Sequence, residues 1–120
     1  MCQNANSDQQ DDIVQSAIKI IRYNYSQQIT VSSIANSLHL NSAYFSRLFA
    51  SKTGISPKQF ILSLRLERAK ELLQQQAIPV AEVSRSAGFS DQLYFSRLFR
   101  QKIGLSPSQF RNLQKEGPQR

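Results

Sequence analysis

Tyr44–Phe60 reads YFSRLFASKTGISPKQF, and Tyr94–Phe110 reads YFSRLFRQKIGLSPSQF, identical at twelve of seventeen positions fifty residues apart. Within each copy, Phe and Leu recur at helical spacing. A glycine then stops the pattern, and Ser-Pro restarts it, with Ser as a cap and Pro at the first helical position, where its missing N–H costs nothing. Upstream of each copy lies a short apolar-periodic stretch, with Val31, Ile34 and Leu38 answered by Val80, Val83 and Ala87. The duplicated unit is therefore a short helix, a tight turn, a second helix, a glycine stop and a Ser-Pro restart.

Working outward, Ile13, Val14, Ala17, Ile18, Ile20 and Ile21 predict a first helix from Asp11 or Asp12 to about Tyr25. The polar residues 1–10 read as an irregular tail or linker remnant. Asn41 and Ser90 stand as N-caps of the two second helices. PKQFILSLRLERAKELLQQQ predicts one long helix from Pro57 to Gln75, and LSPSQF opens a last short one. The chain is thus expected to be all-α, with seven helices and two helix-turn-helix subdomains at 11–56 and 77–114. A linker helix joins them at 57–76, and 115–120 forms a polar tail. Two copies are too few for a helical solenoid, which needs about three or more.

At 100° per residue, Tyr44, Phe45, Leu48 and Phe49 fall on one side of their helix, and Ala43, Ser46, Arg47 and Ala50 on the other. The second copy divides likewise, with Tyr94, Phe95, Leu98 and Phe99 inward and Leu93, Ser96, Arg97 and Arg100 outward. The aromatic stripe reads as core. The repeated outward Ser-Arg pair is different, because an exposed position tolerates most residues and folding does not require the same two twice.

The charge follows the repeat. The 120 residues carry 15 Lys and Arg against 8 Asp and Glu, a net +7. Residues 41–111 hold eleven basic and four acidic side chains, so the whole excess lies there (11 − 4 = +7). A helix-turn-helix with arginine on its second helix is the geometry that enters a DNA major groove, and the guanidinium fork matches guanine O6 and N7 or clamps phosphate. Gln92 suits adenine, Ala43 and Leu93 suit thymine methyls, and Lys52, Arg100 and Lys102 suit the DNA backbone. Nineteen helical residues span about 28 Å, close to the ~34 Å between major-groove segments on one side of a duplex, so one monomer is expected to occupy both on an asymmetric site.

Other classes fit less well. His39 is the sole histidine and reads as a capping or partly buried turn residue, and no paired carboxylates, phosphate-cradling glycine loop or metal-ligand spacing accompany it, so neither catalysis nor a cofactor is expected. A basic helical adaptor for acidic partners is the alternative. RNA is disfavoured because the aromatics are used in the core. Cys2 is the only cysteine, no apolar run approaches the ~20 residues of a membrane span, and the polar start lacks a signal sequence, which together suggest a cytoplasmic protein.

Gly88–Arg111, GFSDQLYFSRLFRQKIGLSPSQFR, closely resembles the signature of the AraC/XylS family of bacterial transcription regulators, and the first half resembles that family's other helix-turn-helix. The resemblance covers about residues 12–114. It implies seven helices, binding to promoter DNA, usually activation, and RNA polymerase as a partner. By position it assigns base reading to Ser42, Ala43, Ser46 and Arg47 on the first recognition helix, and to Gln92, Leu93, Ser96 and Arg97 on the second. It gives Asp91 an architectural role. Most members also carry an effector-binding or dimerisation domain, for which this chain has no room, so it reads as a small stand-alone member or the DNA-binding end of a longer regulator.

Overall fold

The computed structural model describes the backbone of residues 2–116 and the side chains of residues 8–113. Among these all regular elements are helices: α1 (Cys2–Asn24), α2 (Val31–Ser37), α3 (Ser42–Thr53), α4 (Pro57–Leu73), α5 (Val80–Ala87), α6 (Gln92–Ile103) and α7 (Pro107–Glu116). The all-α, seven-helix architecture is as the periodicity predicts. The boundaries differ in three places. α1 runs upstream of Asp11, so Asp8, Gln9 and Gln10 are helical where an irregular tail is expected; no Gly or Pro interrupts the segment, and Asp11 and Gln10 reach side chains of α3. The backbone of residues 2–7 is helical as well, and α7 runs to Glu116, two residues into the expected tail; residues 1 and 117–120 lie outside the described residues. α4 ends at Leu73, because Gln74 and Gln75 bond back to Glu71 and Leu72 in a tighter closing turn. Its seventeen residues span about 25 Å rather than 28.

The chain forms two compact units, divided inside α4 between Ser63 and Leu64. In the first, Val14, Ala17 and Ile21 of α1, Ile34 and Ala35 of α2, Phe45, Leu48 and Phe49 of α3, and Ile61 of α4 are buried. In the second, Leu66, Ala69, Leu72 and Leu73 of α4, Val83 and Ala87 of α5, Phe95, Leu98 and Phe99 of α6, and Phe110 of α7 are buried. The same aromatic ladder supports each. Phe49 meets Phe45 and Phe60 at centroid distances of 5.8 and 5.6 Å, and Phe99 meets Phe95 and Phe110 at 5.6 and 5.5 Å.

The duplication extends further than the repeated string. Buried positions 14, 17 and 21 of α1 recur as 66, 69 and 73 of α4, a constant offset of 52. The first half of α4 closes the first unit as α7 closes the second, and the second half opens the second unit as α1 opens the first. One helix serves as the end of one copy and the start of the next.

Local caps set the ends. Ser56 and Ser106 accept from the amides of Gln59 and Gln109, both at 3.1 Å, while those glutamines accept from the Ser56 and Ser106 amides at 3.3 and 2.9 Å. Each Ser-Pro-x-Gln is thus a reciprocal capping box. Gly54 and Gly104, at φ 89° and 96°, close α3 and α6 in the left-handed conformation that glycine adopts without strain.

Candidate nucleic-acid interface

In the first unit α2 leads through Leu38, His39 and Leu40 to Asn41, the N-cap of α3. His39 takes φ 59°, and the Leu40 amide donates to the Ala35 carbonyl at 2.8 Å. In the second unit Gly88 takes φ 109° and the Phe89 amide donates to the Ser84 carbonyl at 3.0 Å. The two turns share this closure, but the second holds one more residue, Ser90, before its cap. His39 is accordingly an exposed turn residue in the left-handed region, not a partly buried one.

Asp91, not Ser90, caps α6. Its Oδ1 accepts from the amides of Leu93 and Tyr94 at 2.9 and 3.3 Å, as Asn41 Oδ1 accepts from Ala43 and Tyr44 at 2.8 and 3.2 Å. The extra turn residue moves Ser90 out of register and leaves the short carboxylate facing the free amides. Asp91 therefore has the architectural role that the resemblance implies.

The faces of α3 and α6 divide nearly as expected. Phe45, Leu48, Phe49 and their counterparts are buried, while Ala43, Arg47, Leu93 and Arg97 are exposed, Leu93 to 60%. Tyr44 and Tyr94, expected inward, are 38% and 44% exposed. They sit at the edge of the stripe centred on Phe45, Leu48 and Phe49, where the phenol reaches solvent while the ring flanks the core. Ser46 and Ser96 occupy the opposite edge and are half-buried.

Of the other candidates, Ser42 is half-buried and donates to Ser32 Oγ at 3.2 Å, whereas Gln92 is exposed. Arg100 follows Arg97 by three and shares its stripe; the first copy has Ala50 there. Lys52 and Lys102 follow Leu48 and Leu98 by four, which continues the core stripe rather than the arginine stripe. Lys52 is accordingly turned toward α1, where Asp11 lies 3.2 Å away. Among the described residues no carboxylate pairs with Lys102, and the position answering Asp11 is Ser63.

Two basic residues have roles that periodicity does not single out. Arg111 donates from Nε to the Leu73 carbonyl at 2.9 Å and from a terminal nitrogen to that of Gln75 at 3.0 Å, capping α4. Arg65 lies half-buried with its guanidinium 5.9 Å from the centre of the Phe89 ring. Burial pulls its pKa below the ordinary arginine value, against the opposing effect of the Tyr94 phenol. Among the described residues no three His, Cys, Asp or Glu side chains gather as a metal site, and no helix is long and apolar enough to cross a membrane.

Paired units of this construction, each exposing an arginine on a capped second helix, define a class: tandem helix-turn-helix domains. Residues 34–113 match the family described as a helix-turn-helix domain, and the chain belongs to the AraC/XylS-type regulators within it. It is 40% identical over 75 residues to the Msm operon regulatory protein of Streptococcus mutans, covering 62% of this chain and 27% of that protein. It is 31% identical over 80 residues to the lactose operon transcription activator of Staphylococcus xylosus, covering 67% and 29%. The C-terminal domain of AraT, a response regulator from Geobacillus stearothermophilus, superposes with a TM-score of 0.80 at 35% identity, covering 83% of this chain and 84% of that one. The DNA-binding domain of AdpA, a global transcriptional factor solved with a target DNA, gives 0.81 at 26% identity, covering 89% and 97%. The chain spans less than a third of the length of these two curated relatives.

Proposed function

We infer that the chain is the sequence-specific DNA-binding part of a transcription regulator, an activator acting at promoters. The observation that carries this is the same exposed arginine, with a half-buried serine beside it at the edge of the face, on two independently capped second helices. In this reading α3 and α6 each enter a major-groove segment of an asymmetric site. Arg47 and Arg97 read guanine or clamp phosphate, Ser46 and Ser96 assist them, and Ser42, Ala43, Gln92 and Leu93 set the difference between the half-sites. Arg100, on the Arg97 stripe, and Lys102 contact the backbone. Lys52 joins them where its Asp11 pair opens, since an exposed pair holds by about 1 kcal/mol or less.

The role is binding rather than catalysis, exercised in the cytoplasm, and RNA polymerase is the partner that activation requires. An effector or dimerisation domain outside this chain would supply the signal, in keeping with the length of the relatives. In vitro selection of duplex DNA, followed by footprinting, tests the reading. A long non-palindromic motif with two protected groove segments per monomer is expected, and protection lost when Arg47 and Arg97 are both replaced by alanine. One protected segment per monomer refutes the two-groove arrangement, and unchanged protection in the double variant refutes the residue assignments.

A further inference from the structure

The duplication supplies an internal control for every position, and set side by side the two second helices are unequally equipped. Both carry the exposed arginine with a half-buried serine beside it. Beyond that pair α6 presents an exposed Gln92, a Leu93 exposed to 60%, an exposed Arg100 and an exposed Lys102. The answering residues of α3 are Ser42, Ala43, Ala50 and Lys52, and each is short or engaged. Ala43 and Ala50 end at Cβ and offer no donor to a base or a phosphate. Ser42 gives its hydroxyl proton to Ser32 Oγ at 3.2 Å, whereas the second unit has Ala81 in the place of Ser32. Lys52 is held 3.2 Å from Asp11.

Part of this inequality comes from outside the helices. α1 lays Asp11 against Lys52, and Gln10 donates to the Tyr44 hydroxyl at 3.5 Å, so a carboxylate stands beside α3. At the offset of 52 the second unit has Leu62 and Ser63 in those places, neither of them charged. The division of the chain separates the charge in the same sense. Residues 1–63 hold five basic and three acidic side chains, a net +2, and residues 64–120 hold ten and five, a net +5. The second unit is therefore also drawn more strongly to a polyanion before contact. One group opposes the trend, since Asp91 stands where the first unit has Asn41. Its Oδ1 is committed to the amides of Leu93 and Tyr94 at the positive end of α6, which offsets its charge.

We propose that the second unit is the anchor of the complex: α6 supplies the larger share of both affinity and base discrimination, and α3 adds a weaker, more tolerant half-site. This rests on the DNA-binding reading above and deepens it by ranking the two half-sites.

The test is fluorescence anisotropy with the whole chain and duplexes obtained by in vitro selection. The half-site of α6 is the one whose base preference relaxes in Arg97→Ala, and the other belongs to α3. Scrambling the α6 half-site should weaken binding roughly a hundredfold, and scrambling an equal number of base pairs in the α3 half-site roughly tenfold or less. Over a salt series, Arg100→Ala and Lys102→Ala should each lower the slope of log K against log salt by about 0.9, the contribution of one phosphate contact. Lys52→Ala should lower it less, because Lys52 must first leave Asp11. Ala50→Arg, which installs the residue of the sister unit, should tighten binding and steepen the slope. Equal losses from the two scrambles, or a larger loss at the α3 half-site, overturn the ranking while leaving DNA binding in place. So does an Arg97→Ala variant that relaxes no base position, or a slope that falls no further in Arg100→Ala and Lys102→Ala than in Lys52→Ala. Wild-type protein that binds neither the selected duplex nor a random one removes the DNA-binding reading itself, and this ranking with it.

Discussion

Replacing Asp91 with alanine should destabilise the second unit about three times as much as replacing it with asparagine. Its Oδ1 accepts from two amides, Leu93 at 2.9 Å and Tyr94 at 3.3 Å. Both lie at the surface, so water partly replaces the lost acceptor and the cost stays near the ordinary N-cap value of about 1 kcal/mol. A negative charge at the positive end of α6 adds about 0.5 kcal/mol. Asp91→Ala should therefore cost about 1.5 kcal/mol. Asp91→Asn keeps the acceptor and forfeits only the charge, about 0.5 kcal/mol, because Asn41 makes the same two bonds in the first unit. For a unit of this size these become losses of about 6–12 °C and 2–4 °C in melting temperature. Thermal unfolding followed by circular dichroism at neutral pH measures both, with Ser90→Ala as a control that should leave the transition unmoved. Equal losses for alanine and asparagine, or no loss for alanine, would refute this account of the cap. DNA binding adds a second readout, since asparagine removes a negative charge beside the helix proposed to enter the groove and should tighten non-specific binding.

Phe99 is fully buried between Phe95 and Phe110, so Phe99→Ala should cost about 3–5 kcal/mol and leave the second unit largely unfolded in a urea titration. Gly54 has open space where a Cβ would sit but holds φ +89°; Gly54→Ala should lose about 1 kcal/mol from backbone strain alone, read from the same titration. Asp11→Asn breaks an exposed pair with Lys52 and should change stability by less than about 1 kcal/mol, while releasing a cation that steepens the salt dependence of DNA binding. Arg97→Ala should weaken selected DNA by about 1–3 kcal/mol and relax one base position, whereas Arg100→Ala should weaken all duplexes alike, as competition binding will distinguish.

The helices and their stops were legible because local rules govern them. A repeated aromatic stripe, two glycines and two Ser-Pro restarts announce their own geometry, and Asn41 caps where its side chain can reach the free amides. The misread positions are those where a non-local neighbour decides. Ser90 and Asp91 are both good caps by type, and only the extra residue in the second turn selects Asp91. Tyr44 and Tyr94 lie at the boundary of a face, where a wheel cannot tell buried from exposed. Lys52 looked available until α1, continuing upstream of Asp11, brought a carboxylate to it.

By itself the sequence determined that this chain is helical, duplicated and equipped with two outward arginines, since periodicity, punctuation and charge are properties of neighbours along the chain. Only the tertiary structure decided that α4 closes one copy and opens the next, because that equivalence is written in which residues are buried and not in matching letters. It also decided which cations are engaged. Lys52 goes to a carboxylate, Arg111 to helix-end carbonyls and Arg65 to an aromatic ring, because charges pair through space and the partners lie 24 to 41 residues apart in the chain.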